Sequence, residues 1–357
     1  MAEKFRDIVP ELRPFVPRSL LDCQGWERLL DRVGGLPGWP TAASVGFEFR
    51  LVGDARADLA VAVRRDSHLL DYYVDQGKGA GPDSAAAALA GFFTRLADTE
   101  TSAESRHSDW FESAMLEYDV AGALPGQPAD PGLFIRLVHG GPDWPAKRLP
   151  APGVLAAALA SAVGWTEDES EVRAVERVFA TLPPGGKVGQ IGAMPGRELR
   201  AIRLIVDGVE AEEVPDCLGR LGWPGQAAKA MAVLADMRDI TPQFRLSLDI
   251  SVDGMSPRLG LELYPPVDLE GKDQWLTTGR STWRPVVDRL EALRWCQPDK
   301  ARGLLDFPGL DKLFDEKGVL LLYRGINHVK VTIEADDLQA KAYAGLRFFR
   351  LSKEVKR

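Results

Sequence analysis

Charged and titratable side chains recur at every second position in several short segments of this chain. Such spacing places them on one face of an extended strand, where they could line a common surface. Cations on that surface can hold an anionic leaving group, and carboxylates can accept a proton. The cations are Arg50, Arg64, Arg136, Arg203, Arg245, Lys330 and Lys341; the acids are Glu48, Glu117, Asp119, Asp249 and Glu262, with His328 as a further titratable group.

This set contains seven cations and five acids, a surplus of two positive charges. A diphosphate leaving group needs concentrated positive charge, because negative charge grows on its oxygens as the carbon–oxygen bond breaks. The predicted diphosphate ligands lie on the later segments: Arg203, Arg245, Lys330 and Lys341. The alternative interpretation is that these cations form salt bridges along a polar surface.

The acids and the histidine indicate a second role for the same surface. Glu48 is a candidate general base, and an ion pair with a neighbouring arginine is the alternative. His328 could act as an acid, as a base or as a hydrogen-bonding residue. Glu117 and Asp119 share one face, where they could grip a cationic or hydroxylated acceptor or bind Mg²⁺. No metal site is predicted, because no histidine accompanies them at a fixed spacing.

The elements that must position these residues are ten segments of alternating apolar and polar residues. They form five hairpin pairs: Ser44–Gly53 with Ala57–Arg64, Ser113–Val120 with Leu133–Val138, Lys187–Met194 with Leu199–Val206, Gln243–Val252 with Arg258–Tyr264, and Ile326–Ile333 with Ala340–Leu346. Segments with helical character, among them Lys300–Phe314 before the last pair, separate the pairs and must cover the apolar faces of the strands. The charged residues then lie on the opposite face.

We therefore predict an α+β fold, a closed ten-stranded antiparallel β-barrel of five αββα repeats ringed by helices, as a single domain over residues 1–357. Closure removes both edge strands and turns the polar face into a lumen. An open sheet, or two α+β domains of about two hairpins each, is the alternative.

Bulk composition excludes several classes of protein. A net charge of −8 disfavours nucleic-acid binding, which requires clustered Lys and Arg. The chain starts without an apolar stretch of signal-peptide length, and no later run approaches the roughly 20 apolar residues of a membrane span. We therefore expect a cytoplasmic protein that uses neither a membrane nor a nucleic acid as partner. The three cysteines lie far apart and predict neither a zinc site nor a disulfide framework.

Ten antiparallel strands in five αββα repeats resemble the barrel of the soluble aromatic prenyltransferases, a fold also used by enzymes that prenylate natural-product peptides. In the indole-prenylating branch, a glutamate on the first strand binds the acceptor and takes its proton, and Glu48 matches its position. That branch also holds the diphosphate with Arg and Lys, often in a Lys-x-Tyr pattern whose tyrosines shield the carbocation. Lys341 and Tyr343 match this pattern, and Tyr264 supplies a second tyrosine. Two arginines occur without a companion tyrosine: Arg136 and Arg203.

The resemblance implies transfer of a prenyl group from an isoprenoid diphosphate to an aromatic small molecule or a peptide side chain inside the barrel. It implies no resident cofactor, with Mg²⁺ left open as a companion of the diphosphate. The alternative is a non-prenylating barrel. Such a barrel would be a substrate- or peptide-binding partner in natural-product maturation, or an enzyme that uses lumen carboxylates as acid and base.

Overall fold

The computed structural model describes residues 4–36, 44–63, 68–79, 81, 84–97, 111–120, 131–137, 151–195, 200–266, 278–315 and 318–351. Its helices are α1 (Phe5–Leu12), α2 (Cys23–Val33), α3 (His68–Lys78), α4 (Ala85–Ala97), α5 (Pro152–Ala162), α6 (Glu169–Thr181), α7 (Val214–Leu221), α8 (Ala227–Met237), α9 (Arg280–Ala292) and α10 (Pro298–Asp306). Its strands are β1 (Val45–Arg50), β2 (Ala57–Val63), β3 (Phe111–Tyr118), β4 (Gly132–Leu137), β5 (Lys187–Ala193), β6 (Ile202–Asp207), β7 (Gln243–Ser251), β8 (Gly254–Tyr264), β9 (Gly309–Asp315), β10 (Gly318–Glu334) and β11 (Asp337–Leu351). No helix among the described residues has the length and hydropathy needed to cross a membrane.

Ten of the strands close into an antiparallel barrel. Strands β1 to β8 follow one another in sequence order, β10 and β11 come next, and β11 returns to pair with β1. Two helices precede each strand pair along the chain. The predicted α+β class, the closed ten-stranded antiparallel barrel and the surrounding helices are therefore confirmed. The prediction of a single domain over residues 1–357 stays a prediction.

The hydrophobic core lies between the outer face of the barrel and the helices. On β1, Phe47 and Phe49 are at most 1% exposed. The ring of Trp26 on α2 packs against Phe47 at a centroid distance of 5.9 Å, and Phe307, just after α10, packs against Phe49 at 5.7 Å. Each fully buried aromatic side chain contributes about 2 to 3 kcal/mol through removal from water. This packing fixes which face of each strand points inward.

The last hairpin is longer than the sequence pattern predicts. We predicted strands Ile326–Ile333 and Ala340–Leu346, whereas β10 and β11 extend past their barrel neighbours and carry a further strand, β9. The segment that forms β9 was predicted to continue the preceding helix, and that prediction was wrong: α10 ends at Asp306. We name this three-stranded extension the flap; it comprises β9, residues 318–325 of β10 and residues 345–351 of β11.

A β-bulge separates the flap from the barrel. Ile326 pairs with Ala344 and His328 pairs with Tyr343, so Asn327 is an extra residue in β10. An extra residue reverses the order in which apolar and polar side chains alternate along the strand. The two halves of β10 therefore do not show one continuous alternating pattern in the sequence. The bulge therefore explains why the pattern indicated a strand that starts only at residue 326.

A buried lysine holds the connection between β1 and β2. Lys300 on α10 is 1% exposed, and its Nζ donates hydrogen bonds to the carbonyl oxygens of Arg50 at 2.7 Å and Asp54 at 2.9 Å. Burial lowers the pKa of Lys300. The lysine ties an outer helix to the end of the strand that carries Glu48.

We expect Lys300→Met to lower the free energy of unfolding by about 2 kcal/mol, because two partly buried carbonyl oxygens lose their donor. Urea denaturation followed by circular dichroism measures this change. Lys229→Met is the matched control, since Lys229 also donates to a carbonyl oxygen, that of Ala335 at 2.7 Å, but its side chain is 28% exposed. Equal effects of the two substitutions would contradict a special role for Lys300.

Candidate functional site

The predicted charged residues meet in the lumen as rows of cross-strand partners. Arg50 pairs with Lys341, Lys341 with Lys330, Lys330 with Glu262, and Glu262 with Arg245. Cross-strand partners share one face of a sheet. Five charged residues from β1, β11, β10, β8 and β7 thus form one continuous row along the inner wall.

A second row begins at the proposed base. Glu48 is 7% exposed and pairs across the strands with Tyr343, which pairs in turn with His328. The carboxylate of Glu48 accepts hydrogen bonds from Lys341 Nζ and from Tyr343 Oη. Burial and the Glu48 charge raise the pKa of Tyr343, so the phenol stays protonated and donates. Glu48 is therefore held by a cation and a hydroxyl in the wall of the lumen.

Arg203 and Asp249 form a buried bidentate ion pair. Arg203 Nε and Nη2 donate to the two carboxylate oxygens of Asp249 at 2.6 and 2.7 Å. The two residues are 8% and 6% exposed. Burial alone would raise the pKa of Asp249, but the Arg203 charge and its hydrogen bonds outweigh burial and lower the pKa to about 2. Both groups are charged at neutral pH.

Lys330 lies on the inner wall of the barrel, between Lys341 and Glu262, and is 5% exposed. Its Nζ donates to Ser247 Oγ at 2.7 Å and lies 3.6 Å from Glu262 Oε1. Burial and the Arg203 charge lower the pKa of Lys330 to about 8. Gly260 makes room for this lysine, because a Cβ atom at that position would lie 2.3 Å from Lys330 Cε. The ammonium group is therefore close to losing its proton, and a bound anion would stabilise its charge.

His328 lies between two tyrosine rings. Its ring stacks on Tyr343 at a centroid distance of 4.3 Å and an interplanar angle of 15°, and it lies 5.3 Å from the ring of Tyr264. The Nδ1 atom lies 2.8 Å from Asn327 Oδ1, while Nε2 has no hydrogen-bond partner among the described residues. Burial lowers the pKa of His328 to about 4, so the ring is neutral at pH 7. We name these three rings the aromatic stack.

Arg245 flanks the aromatic stack on the side of Tyr264. Its Nη1 donates to Tyr264 Oη at 3.0 Å, and its guanidinium carbon lies 4.9 Å from the centre of the Tyr264 ring. Tyr264 Oη in turn donates to Glu262 Oε2 at 3.2 Å. Arg245 also forms an ion pair with Asp207. The aromatic stack is thus bordered by cations that are bound to carboxylates.

An acid-lined cleft opens in the lumen wall formed by β1, β2 and β3. Its polar lining is Glu48, Asp58, Glu117, Asp119, Tyr118 and Tyr343. Leu59, Ala60 and Met194 complete it. Burial, and next the negative charges of Glu48 and Asp119, raise the pKa of Asp58 to about 7. The two acids that share one face, Glu117 and Asp119, therefore lie together beside Glu48.

Two predicted residues lie near the ends of their strands. Arg136 pairs with Ser113 and Gln190 on the inner face, but its side chain is exposed. Arg50 lies at the end of β1 and is half-buried. Arg64 falls outside the described residues. Of the fourteen candidate residues that the structure describes, twelve lie together, and Arg50 and Arg136 lie at strand ends.

Sequence reasoning missed two lumen acids. Asp58 precedes Ala60 and Ala62 on one face of β2, so the alternation could have found it. Asp207 ends β6 on the face of Arg203, beyond the predicted strand end at residue 206. With these two, seven carboxylates face the six cations that the structure describes from the predicted set. The predicted cationic surplus is therefore absent from this part of the lumen.

Within the described ranges, no group of three His, Cys, Asp or Glu side chains is arranged to hold a metal ion. The pair Glu117 and Asp119 alone offers too few ligands for an all-protein site, although Mg²⁺ can be held by one or two carboxylates together with substrate phosphates. The predicted absence of a resident cofactor stays a prediction.

No family model matches the chain, and no curated protein matches it.

Asp58→Asn should stabilise the protein by about 4 kcal/mol at pH 8 and leave it unchanged near pH 4. The folded-state pKa of Asp58, about 7, exceeds its ordinary value of 3.8, so the folded state favours the protonated acid. The stability contributed by this proton is complete below pH 4 and is lost as the pH rises to 7. Asparagine keeps the acceptor that binds the Val120 N–H at 2.8 Å and removes the titration.

Thermal unfolding of the wild type and the Asp58→Asn variant across pH 4 to 8 measures this difference. Asp216→Asn on α7 is the control, because Asp216 is exposed on an outer helix. A stability difference that does not grow with pH would contradict the proposed burial of Asp58 among carboxylates.

Proposed function

We propose that this barrel transfers a prenyl group from an isoprenoid diphosphate to an acceptor bound in its lumen. The observation that carries the proposal is the aromatic stack of Tyr264, His328 and Tyr343, bordered by Arg245, Lys330 and Lys341. Cations beside π-faces suit a leaving diphosphate next to an allylic carbocation. The closed αββα barrel, which resembles that of aromatic prenyltransferases, supports the same reaction.

In this reaction the carbon–oxygen bond of the prenyl diphosphate breaks and the diphosphate leaves with the electron pair. Lys330, Lys341 and Arg245 stabilise its charge. The allylic carbon forms a bond to the acceptor, and the acceptor proton passes to Glu48. The neutral His328 ring and the two phenols face the cation through their π-systems and add no positive charge. The acid-lined cleft beside Glu48 holds the acceptor.

The ion pair between Lys341 and Glu48 links the two halves of the reaction. An arriving diphosphate competes with Glu48 for Lys341, because both are anions that bind the same ammonium group. When Lys341 turns to the diphosphate, one carboxylate oxygen of Glu48 is released to accept a proton. Donor binding would thus prepare the base.

A second candidate function is a non-prenylating barrel that binds a cationic or hydroxylated ligand. It is favoured by the charge balance, since each cation of the predicted diphosphate set already contacts a carboxylate, and the cleft is lined by four acids. Such a barrel would present its ligand to another enzyme or use the carboxylates as acid and base.

Isothermal titration with dimethylallyl and geranyl diphosphate, each with and without Mg²⁺, distinguishes the two functions. The prenyl-transfer proposal requires saturable binding that the alcohol 3-methyl-2-buten-1-ol, which lacks the diphosphate, does not reproduce. Absence of binding at millimolar ligand would overturn it in favour of the second candidate. Binding of inorganic diphosphate alone, with no gain from the prenyl chain, would also count against a prenyl site.

A further inference from the structure

The flap presents one face to solvent and the other to the protein. On the inner face, Leu322 and Leu346 are fully buried, and Arg324 donates to the carbonyl oxygens of Phe15 at 3.1 Å and Phe307 at 2.5 Å. The outer face consists of two rows of cross-strand partners: Leu310 with Tyr323 and Arg347, and Lys312 with Leu321 and Phe349. The flap is therefore anchored on one side and open on the other.

The outer face is apolar and aromatic with two cations. Leu310 is 54% exposed and Phe349 is 38% exposed. Tyr323 packs edge-on against Phe349 at a centroid distance of 5.2 Å, and the guanidinium carbon of Arg347 lies 4.8 Å from the Phe349 ring centre. These six residues include two cations and no acid, in a chain whose net charge is −8. Exposed apolar patches with polar rims mark interaction surfaces.

The edge of the flap offers backbone groups to a partner. Within the described part of the chain, β9 pairs with β10 on one side and with no strand on the other. Such an edge carries unpaired N–H and C=O groups that an extended peptide can bind as an added strand.

The outer face also continues the wall of the lumen. Alternate residues of β11 are Lys341 and Tyr343 in the barrel, and Gly345, Arg347 and Phe349 in the flap. No bulge interrupts β11, so these side chains share one side of the strand. A chain that lies on the flap is thereby directed along β11 towards the aromatic stack.

We propose that the flap docks an extended peptide that carries carboxylate and apolar side chains, and that it directs this peptide to the lumen as the acceptor. The docking follows from the free edge of β9, the apolar face and its two cations. The assignment of the peptide as acceptor rests on the proposed function, whereas the docking itself does not. The part of the peptide added at the edge of β9 places a carboxylate beside Lys312 and an apolar side chain beside Leu310. The part that continues across the outer face towards the lumen pairs with Arg347 and covers Phe349.

Fluorescence polarisation with a labelled octapeptide of alternating glutamate and valine tests the docking without any diphosphate. We expect saturable binding that weakens with salt, at least tenfold weaker binding to the Lys312→Glu/Arg347→Glu and Phe349→Ser variants, and unchanged binding to Leu338→Ser. Leu338 is the matched control, because it is 40% exposed on β11 at the other end of the barrel. Failure of prenyl-diphosphate binding would leave this test unaffected.

Peptides whose backbone nitrogens are methylated along one edge of the extended strand distinguish strand addition from binding by side-chain contacts alone. Methylation along one edge should abolish binding and methylation along the other should preserve it, since an added strand bonds through one edge. Four results would overturn the proposal: no binding, equal binding of a lysine–valine peptide, insensitivity to both N-methylated peptides, or no loss in the flap variants. A concentration-dependent dimer that Phe349→Ser abolishes would assign the flap to a second copy of this chain and would also overturn it.

Discussion

Arg203→Met should lower the free energy of unfolding by about 3 to 5 kcal/mol, the largest stability effect that we expect from a single lumen substitution. The substitution leaves Asp249 buried with a negative charge and without its bidentate partner. Lys330 lies near enough to lower the pKa of Asp249 but donates its hydrogen bond to Ser247. The loss of stability arises because the Asp249 carboxylate stays buried without its partner, and less because the attraction between the two charges is lost.

The double substitution Arg203→Met/Asp249→Leu should recover most of this loss, because neither charge remains to be buried. Denaturant unfolding of both single variants and the double variant gives the coupling energy. Arg238→Met is the control, since Arg238 and its partner Glu212 are 70% and 65% exposed and their pair contributes about 0 to 1 kcal/mol. If the double variant is as unstable as Arg203→Met alone, the ion pair is not the cause.

Glu48→Gln and Lys341→Met should change the affinity for dimethylallyl diphosphate in opposite directions. Lys341→Met removes a charge-assisted contact and should weaken binding by about tenfold to a hundredfold. Glu48→Gln removes the competing anion, so Lys341 is free for the diphosphate and binding should tighten by about tenfold. The glutamine amide still offers an oxygen that accepts from Tyr343.

Isothermal titration of the two variants against the wild type measures this difference, with Arg136→Ala as a control that keeps wild-type affinity. Arg136 shares the inner face but is exposed near the end of its strand. Weaker binding in both Glu48→Gln and Lys341→Met would show that Glu48 supports the site rather than competes for its cation. The proposed release of the base would then be wrong.

The sequence predicted the faces of the strands but not the partners of the charges. Alternation alone placed Arg203, Lys330 and Glu48 on the polar face, because apolar residues between them must meet the helices. Which cation meets which carboxylate depends on strand register and side-chain reach. Asp207, which forms an ion pair with Arg245, lies on a neighbouring strand. In the sequence, only its place in the alternation of apolar and polar residues indicated that it could face the lumen.

The ends of the elements were the least predictable part of the fold. Strand β9 follows α10 directly, and its Leu310 and Leu313 fit a helix as well as a strand in so short a segment. Lys300 contacts the β1–β2 connection from an outer helix, a contact that depends on tertiary packing. No periodicity in the sequence reports such a contact.

The bulge at Asn327 changes which alternate positions of β10 face the core. Before it, Leu322 and Ile326 at even positions face the core; after it, Val329 and Val331 at odd positions do so. Removal of this one residue would leave either the flap or the barrel wall inside out, and His328 and Lys330 would exchange places with valines. The side chains that β10 places in the lumen are thus set by one residue that has no cross-strand partner in the β10–β11 register.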